Sequence, residues 1–146
     1  MFKHILISTD GSPISNKAAK AGIALASALG AKITAYCALE PIQPIYSEGY
    51  TFDQKTIDGF EAGARKVGQK RVDAIGKMAK AARVPFASVV TKAYVPYAGI
   101  IDAAKKQKCD VIFMASHGRR GFSKLIMGSV TQEVLTHSRI PVVVYR

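Results

Sequence analysis

Short apolar runs alternate along the chain with longer stretches in which apolar residues return every three or four positions. The runs are about His4 to Ser8, Lys32 to Leu39, Phe86 to Thr91, Asp110 to Met114 and Pro141 to Tyr145. Each is rich in β-formers and bounded by turn residues, so each predicts a strand. Val111-Ile112-Phe113-Met114 is apolar at consecutive positions, as a strand covered on both faces requires.

Helical spacing fills the intervals. Ser12 is a good N-cap and Pro13 a good first helical residue, so one helix should run to Leu29 and stop at Gly30. A second spans about Thr56 to Ala82, with Ala64, Gly68, Val72, Ile75, Ala79 and Ala82 on one face. Glycines at 59, 63, 68 and 76 lower its intrinsic propensity, so tertiary packing must hold it. A third leads from Val95-Pro96 to about Gln107 and turns Ile100, Ile101 and Ala104 inward. The fourth opens at Gly128-Ser129 and ends near His137. Strict alternation of strand and helix predicts an α/β fold, a single domain over residues 1–146 with helices on both faces of a parallel sheet.

Two connections stand out. The segment from Glu40 to about Gln54, with Pro41, Pro44 and Gly49, exceeds most loops in compact domains, and such segments often cover a site. After the fourth strand comes Ala115-Ser116-His117-Gly118-Arg119-Arg120-Gly121, with Gly128-Ser129 ten positions beyond Gly118. Ser129 and Gln132 have capping-box spacing, which predicts a helix whose first amides face back into this loop. Free N–H groups and the helix dipole favour an anion there, and glycines let backbone approach it closely. Arg119 and Arg120 add guanidinium groups that match phosphate oxygens. The same residues also fit a tight turn, a capping serine and solvated arginines, and spacing alone does not separate the two.

Composition narrows the partners. The chain has 146 residues, 49% of them hydrophobic, enough for a proper core. No apolar run reaches transmembrane length, and Met1-Phe2-Lys3 enters strand pattern directly without a cleavage-site region, so the expected compartment is the cytoplasm. Cys37 and Cys109 lack CxxC or Cys/His spacing and read as buried thiols in a reducing compartment; His4, His117 and His137 are equally scattered, so no metal site is expected.

The net charge of +11 invites nucleic-acid or membrane binding. Its distribution argues otherwise: Lys66, Lys70, Lys77 and Lys80 recur at helical spacing opposite the apolar stripe, the outer face of a sheet-packing helix. No basic run is interleaved with stacking aromatics, and no helix-turn-helix or RNA-binding signature occurs. The C-terminal strand, 141–145, is expected at a sheet edge, where it would pair with a second copy in a homodimer.

The strand ending in Thr9-Asp10-Gly11-Ser12, the long segment after the second strand, the turn at Ala115 to Gly118, and Gly128-Ser129-Val130-Thr131 ahead of Ser138-Arg139-Ile140-Pro141-Val142-Val143-Val144 together carry a resemblance. Over its whole length the chain resembles the universal stress protein family. That implies an open, doubly wound, five-stranded parallel sheet of order 3-2-1-4-5, with Asp10 and the glycine loop bordering one crevice at the carboxyl ends of the central strands. Nucleotide-binding members resemble the pattern Gly-x2-Gly-x9-Gly-Ser/Thr. Here Gly118, nine intervening residues and Gly128-Ser129 match, while Ala115 replaces the first glycine. A left-handed backbone at Ala115 would be strained; an extended one would not.

By resemblance, Asp10 contacts the adenosine part of a nucleotide, Ser8 and Thr9 line the floor, and backbone at Ala38 meets the adenine edge. Gly118, Arg119, Arg120 and Gly121 wrap the phosphates, with amides and hydroxyls from Gly128, Ser129, Val130 and Thr131. Met114, Ala115 and His117 complete the lining, Met114 and Val130 as core residues first and His117 as a turn residue bonding backbone. Asp10 also fits an Asx-type turn that starts the first helix. The implied ligand is ATP, or AMP or ADP, with or without magnesium, regulating a cytoplasmic stress-response protein. Two alternatives remain: a non-nucleotide interaction module, and a weak ATPase or autokinase. The second finds no local carboxylate cluster and no Walker-type lysine near the loop.

Overall fold

Parallel pairing forces a crossover between successive strands, and the helices of this chain supply it. The computed structural model describes residues 1–41, 52–119 and 127–146. The elements are β1 (His4–Ser8), α1 (Pro13–Leu29), β2 (Lys32–Leu39), α2 (Gln54–Ala81), β3 (Phe86–Lys92), α3 (Pro96–Lys106), β4 (Val111–Ala115), α4 (Ser129–His137) and β5 (Val142–Tyr145). All pairings are parallel, in the order β3-β2-β1-β4-β5. From β1 the chain walks to one edge, then returns to β4 and walks to the other. The loops leaving β1 and β4 therefore diverge and leave a crevice between them.

The two-residue period of the strands sorts the core into two layers. Ile5, Ile7, Ile33, Ala35, Val111 and Phe113 face α1 and α2, whereas Leu6, Tyr36, Ile112 and Met114 face α3 and α4. Both faces of β1 and β4 are thereby dry, which explains their continuous apolar runs. On α2 the charged face points outward, with Lys66, Lys70, Lys77 and Lys80 exposed. Cys37 and Cys109 are both buried free thiols.

Helix ends follow local chemistry. The Ser12 hydroxyl accepts the Ser15 amide at 3.2 Å, and α1 stops at Gly30, where φ is 64°. The start of α2 lies two residues earlier than the periodicity indicates, because Asp53 caps it by accepting the Thr56 amide at 2.8 Å. Ala82, expected on the apolar face of α2, is instead its exposed C-cap. β4 begins after Asp110, whose carboxylate accepts the Lys3 and His4 amides at 2.8 and 3.1 Å and so anchors the start of β1. Residues 42–51 of the expected long connection after β2 lie outside the described residues.

Candidate functional site

Three backbone turns meet at the carboxyl ends of β1 and β4. The first leaves β1. Thr9 still pairs with β2, its amide donating to the Tyr36 carbonyl at 2.9 Å, while its hydroxyl accepts the Gly11 amide at 3.1 Å. Asp10 follows with both carboxylate oxygens engaged. Oδ1 accepts the Ser12 amide at 2.9 Å, an Asx turn into α1, and Oδ2 accepts the Arg119 amide at 2.8 Å from the glycine loop. Burial raises the pKa of this carboxyl, but hydrogen bonds from Ser12, Arg119 and Ser15 outweigh it and hold the group below the usual carboxylate range. Asp10 is therefore both the turn residue and the tie between segments 109 positions apart.

The second turn leaves β4. The Ser116 amide donates to Tyr145 O at 2.7 Å, and its carbonyl accepts the Gly128 amide at 2.8 Å, so the two ends of the loop close on each other. Gly118 sits against Asp10 so closely that any Cβ would collide with the carboxylate. Ala115 is extended: it pairs in register with Tyr145, and the only described non-glycine residues with positive φ are Arg83 and Lys108. Its methyl belongs to the core on the α1 and α2 face. Replacement of a glycine here thus carries no backbone strain. His117 Nδ1 lies 3.0 Å from Ser116 Oγ, a side-chain partner and not the expected backbone one.

The third turn starts α4, and here the capping-box expectation fails. Gly128 is the N-cap, extended at φ −64° and ψ 147°, with no side-chain cap. Ser129 is already the first helical residue, one position too far along for its hydroxyl to cap. The first intrahelical bond runs from the Gln132 amide to the Gly128 carbonyl at 3.0 Å. The amides of Ser129, Val130 and Thr131 precede it and form the open, electropositive end of α4. The Thr131 hydroxyl donates to the Ala115 carbonyl at 3.0 Å, which ties α4 to β4.

These turns enclose a cleft of about 690 Å³, a size typical of small-molecule sites. Ser8, Thr9, Asp10, Ala38, Met114, Ala115, His117, Gly118, Arg119, Gly128, Ser129, Val130 and Thr131 all line it. Arg120 and Gly121 lie outside the described residues. Five further lining residues escaped the sequence reading: Ser15, Glu40, Arg71, Pro96 and Ile100. Ser15 was recoverable from its place one turn after the Ser12 cap. Arg71 looks in sequence like part of the solvated face of α2, and only the packing of that helix turns it inward. Among the described residues no group of three or more His, Cys, Asp or Glu side chains converges to hold a metal ion, and no helix is long and apolar enough to cross a membrane.

Comparison with known proteins places this architecture. The chain is 31% identical over 146 residues to a universal stress protein of Thermus aquaticus, covering 100% of both. Its fold matches that of a universal stress protein solved in complex with cAMP, with a TM-score of 0.73, 21% identity and coverage of 99% of this chain and 97% of the other. It also matches a universal stress protein family protein from Arabidopsis thaliana with AMP bound, with a TM-score of 0.67, 14% identity and coverage of 97% and 90%. The universal stress protein family itself is matched over residues 1–146. With the 3-2-1-4-5 sheet and the glycine loop in place, the chain belongs to the universal stress protein family.

Proposed function

We propose that this protein binds an adenine nucleotide in the cleft between β1 and β4 and uses it as a regulatory ligand in a stress response. The observation that carries this reading is the convergence of the first amides of α4, which have no hydrogen-bond partner among the described residues, with a glycine loop pinned to β1 through Asp10. That gives an anion a preorganised seat. Ala38 at the end of β2 and Met114 at the end of β4 offer the less polar part of the cleft to a nucleoside. Relatives of the same fold that hold cAMP and AMP support the adenine nucleotide class. ATP, AMP and ADP all fit the proposal, and magnesium has no assigned ligand in it. Ligand binding, not turnover, is the role: both Asp10 oxygens are taken by backbone N–H donors, and His117 bonds Ser116.

The exposed edge of β5 supports a further part of the proposal, that two copies pair through 141–145 in the cytoplasm. The decisive experiment denatures freshly purified protein and separates the released small molecules by anion exchange, alongside calorimetric titration with AMP, cAMP and ATP. Near-stoichiometric release, or saturable binding, is expected. Neither released nor added nucleotide would overturn the reading in favour of a non-nucleotide interaction module.

A further inference from the structure

Arg71 is a half-buried cation inside the cleft with almost no use for its charge. Among the described residues no carboxylate pairs with it; its polar contact is Nη1 to the Cys37 sulfur at 3.9 Å, a weak acceptor. Burial pushes the Cys37 thiol up against the opposing pull of Arg71, so the sulfur stays protonated and is no counter-ion. The stem of Arg71 is nevertheless held. It lies across Gly11, where a Cβ would come within 2.6 Å of Nε and 2.9 Å of Cδ, and Gly11 adopts a φ of +79° that other residues avoid. The guanidinium is thus seated between the Gly11 turn and β2 with most of its donors unassigned among the described residues.

Opposite it stands hydrocarbon. α2 packs on one face of the sheet and α3 on the other, and both flank β2, whose Ala38 lines the cleft. Pro96 and Ile100 on α3 line the same cleft from the other face of the sheet. A flat ring resting on the end of β2 would have a planar cation on one side and an apolar surface on the other. That combination suits an aromatic heterocycle, because guanidinium groups stack on π-faces while hydrocarbon covers the far side.

We infer that Arg71 recognises the base of the ligand: its guanidinium lies against one face of the purine, opposite Pro96 and Ile100, while the phosphate is served by the glycine loop and α4. The inference rests on the nucleotide reading above and adds to it a residue on a helix outside the loop motif. It separates two cations in one cleft by role, Arg71 for the ring and Arg119 for the anionic end.

The test is calorimetric titration of adenosine and AMP into the unaltered protein, Arg71→Gln and Arg71→Lys. Loss of the stacked cation should weaken both ligands by the same factor, about 3- to 30-fold in Arg71→Gln. The ratio of AMP to adenosine affinity stays fixed. Arg71→Lys, which keeps a long stem over Gly11 and reads the effect even if Arg71→Gln loosens α2, should recover only part of the loss because it has no plane to stack. A loss confined to AMP would overturn the inference and assign Arg71 to phosphate, and unchanged affinity for both would overturn it outright. In either case AMP binding by the unaltered protein leaves the nucleotide reading standing; absence of that binding removes both.

Discussion

Asp10 shows how one side chain can start a helix and build a site. Oδ1 closes the turn into α1 and Oδ2 draws in the Arg119 amide, so the carboxylate fixes the distance between two diverging loops. Because hydrogen bonds hold its folded pKa below the ordinary value of 3.8, its stabilisation is complete above that value and is lost as pH falls through the folded one. Asp10→Asn should cost about 1–2 kcal/mol near neutral pH, and in urea titrations the gap to the unaltered protein should shrink as pH drops below the ordinary carboxylate value. Gly118→Ala attacks the same joint from the other side: its methyl would collide with the carboxylate and release the loop. AMP affinity should fall by about tenfold or more, the equivalent of losing a hydrogen bond to a charged group, as calorimetry would show. The role of Asp10 as a turn residue was legible in the Asp-Gly-Ser-Pro string. Its bond to Arg119 was not, since no local pattern reports a contact 109 residues away.

At the scale of elements, α2 separates what propensity governs from what packing governs. Of its four glycines only Gly68 falls on the apolar face in sequence, and Gly59 and Gly63 have open space where a Cβ would go. Gly68 and Gly76 do not: a Cβ would lie 2.6 Å from Leu39 Cδ2 at the first and 2.7 Å from the Phe86 ring at the second. Gly63→Ala should therefore stabilise the protein by about 0.5–1 kcal/mol through helix propensity. Gly68→Ala should destabilise it by about 1–3 kcal/mol through overpacking against the buried Leu39, and thermal melts of the two variants should move in opposite directions. The ends of α1 were readable because Ser12, Pro13 and Gly30 act on their own neighbours. The start of α4 at Gly128-Ser129 was legible too, but not its cap, because Gly128, bonded to Ser116, takes the position that Ser129 had the chemistry to fill.

For the molecule as a whole, the 3-2-1-4-5 order is what makes a site at all. Were β1 and β4 not neighbours, Asp10 and Gly118 would belong to separate loops, and the first amides of α4 would face solvent. A ligand that binds this folded arrangement and not the unfolded chain must stabilise it. AMP at a hundredfold excess over its Kd should raise the melting temperature by about 5–10 °C, and at the same AMP concentration the rise should shrink by about half or more in Gly118→Ala.

The sequence by itself determined the alternation of strands and helices, the two-layered core and the glycine-bearing loop, because hydrophobic periodicity and capping residues act within a few positions of themselves. Only the tertiary structure decided that Ala115 lies extended and harmless, that Asp10 ties the loop down, and that Arg71 turns into the cleft. Each of these depends on which distant backbone passes nearby, and the crossing of α2 over Gly11, like the adjacency of β1 and β4, exists only once the sheet has assembled.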